Sequence, residues 1–212
     1  MEIVTFLFKW AHLLFGITWI GLLYYFNFIQ TEYFKEATPE GLGDAKAKLA
    51  PRALGWFRWS AMFTFITGVI LLVGMGHIST INEYIVLGAL MGTLMFLNVW
   101  LIIWPNQKIV LGLAEGDAAA AAPKAGLASR TNTLFSGPMA FCMLASPHLG
   151  YSTDHLLATG SMGLGMWASV ALILLIQVNA IFGKPGPIAS VRGVIHMSLA
   201  LAAAIFCLVL FL

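Results

Sequence analysis

The stretch FLFKWAHLLFGITWIGLLYYFNF, from Phe6 to Phe28, decides the fold of this chain. A helix crosses the roughly 30 Å hydrocarbon core of a membrane in about 20 residues, and this run is long and apolar enough to do so. His12 lies in its first half. An imidazole without a partner at that depth would be costly, so we expect His12 to have a specific partner.

The composition extends this conclusion to the whole chain. Of the 212 residues, 60% are hydrophobic and 9% are charged, and the mean hydropathy is +0.89. These values exclude a water-soluble domain. The apolar runs lack the alternation of barrel strands, which predicts helices. The predicted fold is therefore an all-α, polytopic membrane helix bundle, one domain spanning residues 1–212. Its six transmembrane helices are predicted at about 3–29, 53–76, 83–104, 132–148, 156–182 and 190–211.

The basic residues predict the orientation. Loops 30–52, 105–131 and 183–189 carry Lys and Arg, whereas loops 77–82 and 149–155 carry none. By the positive-inside rule the first set is cytoplasmic and both termini face outward. We expect a multi-pass membrane protein, with the lipid bilayer as a partner and no nucleic acid. Within loop 105–131, the stretch EGDAAAAAPKAGLASR predicts an alanine-rich surface linker, partly helical or disordered.

Four polar residues lie at one predicted depth, roughly 7–9 Å below the cytoplasmic face at 1.5 Å per residue. They are Arg58, Asn98, Gln177 and His196. In one interpretation Arg58 reaches the headgroups and the amides join helices. In the other they line a substrate pocket, where Arg58 holds an anion and Asn98 and Gln177 pair with a planar ring, such as a purine or a quinone head. Depth alone leaves both open.

His12 and His196 are also candidate metal ligands. On the first helix His12 and Gly16 share a face, and a glycine one turn from a histidine lets a flat macrocycle approach the backbone. His196 is also flanked by small residues. The pair is predicted to bind one haem b axially. The predicted depths of roughly 14 and 21 Å then require a tilted helix or a slanted haem. The alternative is helix packing through small residues, with each histidine bonded to a neighbouring helix.

Three more histidines, His77, His148 and His155, lie at predicted outer helix ends. A solvated or headgroup-facing role is one interpretation, and a metal or haem site near the outer surface is the other. We count His148 among the candidate cofactor-binding residues.

Four segments together resemble a known family. They are WAHLLFGITWIGLLYYFNF, LGWFRWSAMFTFITG, NVWLIIWPNQK and ASRTNTLFSGPMAFCMLASPHLG. They look like successive signature segments of the membrane domain of bacterial urate hydroxylases, the urate oxidase N-terminal domain family, over residues 6–155. The first segment is also similar to that of haem-binding membrane protoporphyrinogen oxidases. The resemblance implies a location in the bacterial inner membrane, and it draws attention to His12, Arg58, Asn98, Asn106, Gln107 and His148.

The resemblance implies an electron-transferring, urate-oxidising type of oxidoreductase. Members typically carry a c-type cytochrome domain, but this sequence has no C-x-x-C-H motif. We therefore expect a redox module that binds haem b and passes electrons to an external cytochrome or respiratory partner. One alternative is a non-catalytic accessory subunit of a larger respiratory or photosynthetic complex. A second is a purine-type permease.

Overall fold

The computed structural model describes residues 2–74, 81–149 and 163–212, and they form six long helices. We number the helices in chain order as α1 (Glu2–Glu36), α2 (Pro39–Val73), α3 (Glu83–Val110), α4 (Ala118–Leu149), α5 (Leu164–Phe182) and α6 (Val191–Phe211). A short 3₁₀ turn, Gly186–Ala189, precedes α6. Five of the six, all except α4, are long and apolar enough to cross a membrane. The prediction of an all-α membrane helix bundle is confirmed.

Four of these helices run further than the predicted apolar segments, α1 and α3 at their ends and α2 and α4 at their beginnings. Helix α1 continues from the predicted end near residue 29 to Glu36, and α3 continues from 104 to Val110. The extra turns of α1 and α3 are polar, and an ion pair between Lys35 and Glu32 spans one of them at 2.8 Å. A short break around Thr38 separates α1 from α2. The Thr38 hydroxyl accepts a hydrogen bond from the Gly41 amide and so caps the start of α2. Most of the predicted loop 30–52 is therefore helical.

The alanine-rich stretch forms the first turns of α4, and part of it is buried. Asp117 caps this end, accepting a hydrogen bond from the Ala119 amide at 2.8 Å. Ala121, Ala125 and Ala128 are buried in the bundle. Alanine has the highest helix propensity, and its small side chain lets neighbouring helices approach closely. The expected helical form is therefore present, but one side of this helix is buried in the bundle, which a surface linker would not be.

Wide π-type turns interrupt two helices just before a proline. The segments Ala45–Leu49 and Asn98–Ile103 end two residues before Pro51 and Pro105. Proline lacks an N–H and its ring clashes with the carbonyl four residues earlier, a contact that a widened turn relieves. Asn98 begins the second of these turns. Two further wide turns, Tyr25–Gln30 and Ile70–Gly74, occur without a proline.

Helix α4 occupies the centre of the bundle. It packs against α3 and α6 most extensively and also against α5 and α1, while α1 packs mainly on α2. Large side chains from several helices are fully buried between them, among them Trp19, Phe57, Phe135 and Ile173. In lipid, close van der Waals packing of this kind is the main stabilising contact between helices.

Hydrogen bonds at one end of the bundle define the topology. The Asn82 side chain donates to the Ser146 carbonyl at 2.9 Å, which places the start of α3 beside the end of α4. The Gly163 amide donates to Glu83 at 2.7 Å, which brings the start of α5 to the same end. Gly163 also faces Leu212 at the end of α6. His12 near the start of α1 contacts Thr67 near the end of α2. The ring pairs Trp59–Trp100 and Phe65–Phe96 show that α2 runs antiparallel to α3, so the end of α2 lies beside the start of α3. Both termini therefore lie at one end of the bundle.

Candidate functional site

His12 has the specific partner that its depth predicts. Its Nδ1 lies 2.9 Å from the backbone carbonyl of Thr64 and 3.1 Å from the Thr67 hydroxyl, both on α2. A carbonyl oxygen only accepts, so Nδ1 carries the proton and donates it. Nε2 is then the unprotonated nitrogen, and no hydrogen bond joins it to another residue in the described ranges. This is the tautomer that a metal-ligating histidine needs, with the second nitrogen fixed by a carbonyl.

Gly68 makes room for the His12 ring. A Cβ atom at this position would lie 3.1 Å from Cε1 of His12, closer than ordinary van der Waals contact. Gly16 also faces α2, since a Cβ there would lie 4.0 Å from a methyl group of Thr64. The sequence analysis missed Thr64, Thr67 and Gly68, although their 3- and 4-residue spacing in FTFITG marks one face of a helix.

Asn98 and Gln177 meet in the centre of the bundle. The Asn98 side-chain nitrogen donates to Gln177 Oε1 at 3.0 Å, and Gln177 Nε2 donates back to Asn98 Oδ1 at 2.6 Å. A third amide, Asn132 of α4, accepts from Asn98 at 2.9 Å and donates to the Met95 carbonyl at 3.0 Å. This amide cluster joins α3, α4 and α5, and the protein itself occupies both N–H groups of Asn98.

Arg58 lies outside the amide cluster. Its guanidinium carbon is 3.9 Å from the centre of the Trp104 ring and 5.8 Å from that of Trp59. This cation–π contact holds the side chain between α2 and α3. Its Nε is buried and has no hydrogen-bond partner among the described residues. The predicted polar layer therefore splits, with the two amides together and Arg58 separate.

Two further candidate histidines, His196 and His148, lie on the surface of the bundle. His196 is exposed on α6, whose main neighbours are α4 and α5, whereas α1 with His12 packs mainly on α2. The structure does not bring these two histidines together. His148 is exposed at the end of α4, with Nδ1 2.8 Å from the Leu144 carbonyl of its own helix. His77 and His155 lie outside the described residues.

Within the described residues, neither a cluster of metal-ligating side chains nor a groove indicates a second candidate site. Within residues 2–74, 81–149 and 163–212, no three His, Cys, Asp or Glu side chains are grouped so as to hold a metal ion. A groove of about 490 Å³ lies on the first half of α2, away from His12. It is lined by Pro51, Arg52, Gly55, Trp56 and Trp59. Exposed tryptophan beside arginine is typical of a helix at the membrane interface.

Arg130 of α4 is a further buried polar residue that the sequence analysis overlooked. It is only 9% exposed, and its Nη1 is fully buried without a hydrogen-bond partner among the described residues. From the sequence, Arg130 is only one of the basic residues of loop 105–131. Its neighbours Thr131, Asn132 and Thr133 are also buried, so this polar run faces the protein interior.

The comparison with known protein families concerns the central helices. A family model described as urate oxidase N-terminal matches residues 75–181, about half of the chain. The chain belongs to the urate oxidase N-terminal family. The matched range contains the amide cluster and Arg130, and it excludes His12, Arg58 and His196. Neither a curated protein nor a solved structure matches the chain.

Proposed function

We propose that this member of the urate oxidase N-terminal family is a membrane redox module that binds haem b through His12. The hydrogen bond from His12 Nδ1 to the Thr64 carbonyl carries the proposal. It leaves Nε2 as the ligating nitrogen and fixes the plane of the ring. A bound haem would supply one-electron transfer, and the chain would supply its orientation.

The two candidate haem ligands, His12 and His196, differ in how well their positions suit this proposal. His12 is half-buried, which suits a ligand at the edge of a helix pair. His196 is exposed on another side of the bundle, so we assign only His12 from this chain. In this proposal electrons pass to a c-type cytochrome or a larger respiratory complex. Such a partner would dock at the end that holds both termini, the predicted outer side.

Absorption spectroscopy of the purified protein, from cells supplied with haem, tests the proposal. We expect a b-type Soret band in the wild type, its loss in His12→Ala and its retention in Lys124→Ala. Lys124 is exposed on α4 and serves as the surface control. A colourless wild type, or a His12→Ala variant that keeps the band, would contradict the proposal. The first outcome would favour an accessory subunit.

A pair of glycine variants tests the position of the ring more finely. In Gly68→Ala the new methyl would press on His12 Cε1, since the Cβ would lie 3.1 Å away. We expect a shifted or weakened Soret band. Gly55→Ala on the same helix is the matched control, because a Cβ there meets nothing within 4 Å. Identical spectra for the two variants would contradict a ligating role for this ring.

A further inference from the structure

Arg130 is a buried charged residue whose Nη1 has no hydrogen-bond acceptor among the described residues. That atom is fully buried, and no hydrogen bond joins the guanidinium to another described residue. An arginine is almost never this buried unless it is paired, because removing its charge from water costs several kcal/mol. The missing partner must be an acceptor, and for a guanidinium the best-fitting acceptor is an oxyanion.

The carboxylate of Glu32 does not fill this role. Glu32 of α1 acts on Arg130 electrostatically without a hydrogen bond between them. Both of its oxygens instead contact Lys35, at 2.8 and 2.9 Å. Glu32 is also substantially exposed, so its charge is screened by solvent.

The phase of α4 places Arg130 at a junction of three helices. Arg130, Gly137 and Phe141 share one face by 7- and 11-residue spacing. Gly137 contacts Ser198 of α6, and the Phe141 ring meets the Phe206 ring of α6 at 5.8 Å. The adjacent face contacts α1. On that face Ser129 accepts from Asn27 at 2.8 Å and Ser136 bonds to Tyr24 at 2.8 Å. Arg130 therefore lies where α1, α4 and the first half of α6 meet.

We propose that Arg130 binds an oxyanion, either a small soluble anion such as phosphate or the headgroup of an anionic lipid, at the cytoplasmic end of this junction. The position suits both sources, because Arg130 lies two residues before the predicted span 132–148. The same end carries the further cations Lys124 and Lys184. Such a cluster of positive charge attracts anions to the site. The inference is independent of haem binding at His12.

Thermal unfolding of the purified, delipidated chain in a neutral maltoside detergent tests this site. One arm adds sodium phosphate against sodium chloride of equal ionic strength, and the other adds phosphatidylglycerol. We expect at least one arm to raise the unfolding midpoint by about 5–10 °C at 100 times Kd. A rise with phosphate assigns a soluble anion, and a rise with the lipid alone assigns a headgroup. No rise in either arm would overturn the proposal.

Two variants make the test specific to Arg130. Arg130→Gln should lose the rise, while its midpoint without anion equals or exceeds that of the wild type, because a buried unpaired charge is gone. Arg192→Gln removes an exposed charge at the same end and should keep the rise. Equal responses of the two variants would overturn the proposal. If Arg130→Gln does not accumulate, Arg130→Lys keeps the charge without the fork and should show a smaller rise than Arg192→Gln. An undiminished rise would again overturn it.

Discussion

At the scale of single residues, the depth of a side chain along its helix was predictable from the sequence, but the direction in which the side chain points was not. Counting residues along each helix placed Asn98 and Gln177 at one level, and the structure joins them by two hydrogen bonds. The same count placed Arg58 and His196 at that level, yet Arg58 stacks on Trp104 and His196 is exposed. Rise per residue is fixed by helix geometry, but the direction of a side chain around the bundle depends on how the helices pack.

Asn98 provides a test of the amide cluster as a structural element. Asn98→Ala leaves the Gln177 and Asn132 side chains with unpaired buried groups, which costs about 1–3 kcal/mol. We expect a clearly lower midpoint of thermal unfolding in detergent.

Asn106→Ala is the matched control for this variant. Asn106 lies on the same helix but donates only to Ile102 of its own helix, at 2.7 Å. We expect this variant to unfold close to the wild-type midpoint. Equal destabilisation of the two variants would show that the cluster joins no helices.

At the scale of helices, hydropathy identified the part of each helix that lies in hydrocarbon and missed the part that continues beyond it. Helix α1 extends through Glu32 and Lys35, where polarity suggested a loop. In water a helix continues as long as its residues favour it, and a span predicted from apolar residues ends too early. The alanine-rich stretch shows the same effect, because alanine signals neither a lipid-facing span nor a buried face on its own.

The buried alanines at the start of α4 allow a direct test of this packing. Ala125 is 0% exposed, so Ala125→Leu introduces three methyl-sized groups without space for them. Overpacking of this kind typically costs about 1–3 kcal/mol. We expect a lower unfolding midpoint, measured as above. Ala120→Leu on the exposed side of the same stretch should leave the midpoint almost unchanged. A stable Ala125→Leu variant would mean that this stretch is a surface linker after all.

At the scale of the whole molecule, the fold was predictable and the arrangement of the candidate sites was only partly so. Apolar runs predict the helices, since a membrane leaves the backbone few other structures. His12 was recognisable because a buried imidazole is costly. Its partner is a backbone carbonyl of α2, and because every residue has a backbone carbonyl, the sequence could not identify which one it would be. Arg130 was missed because it lies just outside a predicted membrane span, where an exposed arginine is expected. Only packing by α1 and α6 reveals that it is buried.

The orientation of the bundle in the membrane is a prediction about the whole molecule. Contacts place both termini at one end, while the basic loops lie at the other, so the positive-inside rule puts the termini outside the cytoplasm. Alkaline phosphatase, which is active only outside, should therefore be active when fused after Leu212. Green fluorescent protein fused there should be dark. The same reporters inserted between α3 and α4, at the turn containing Gly112 and Gly116, should give the opposite pattern. Matching signals at the two sites would contradict the predicted up-and-down threading, and a fluorescent Leu212 fusion would reverse the orientation.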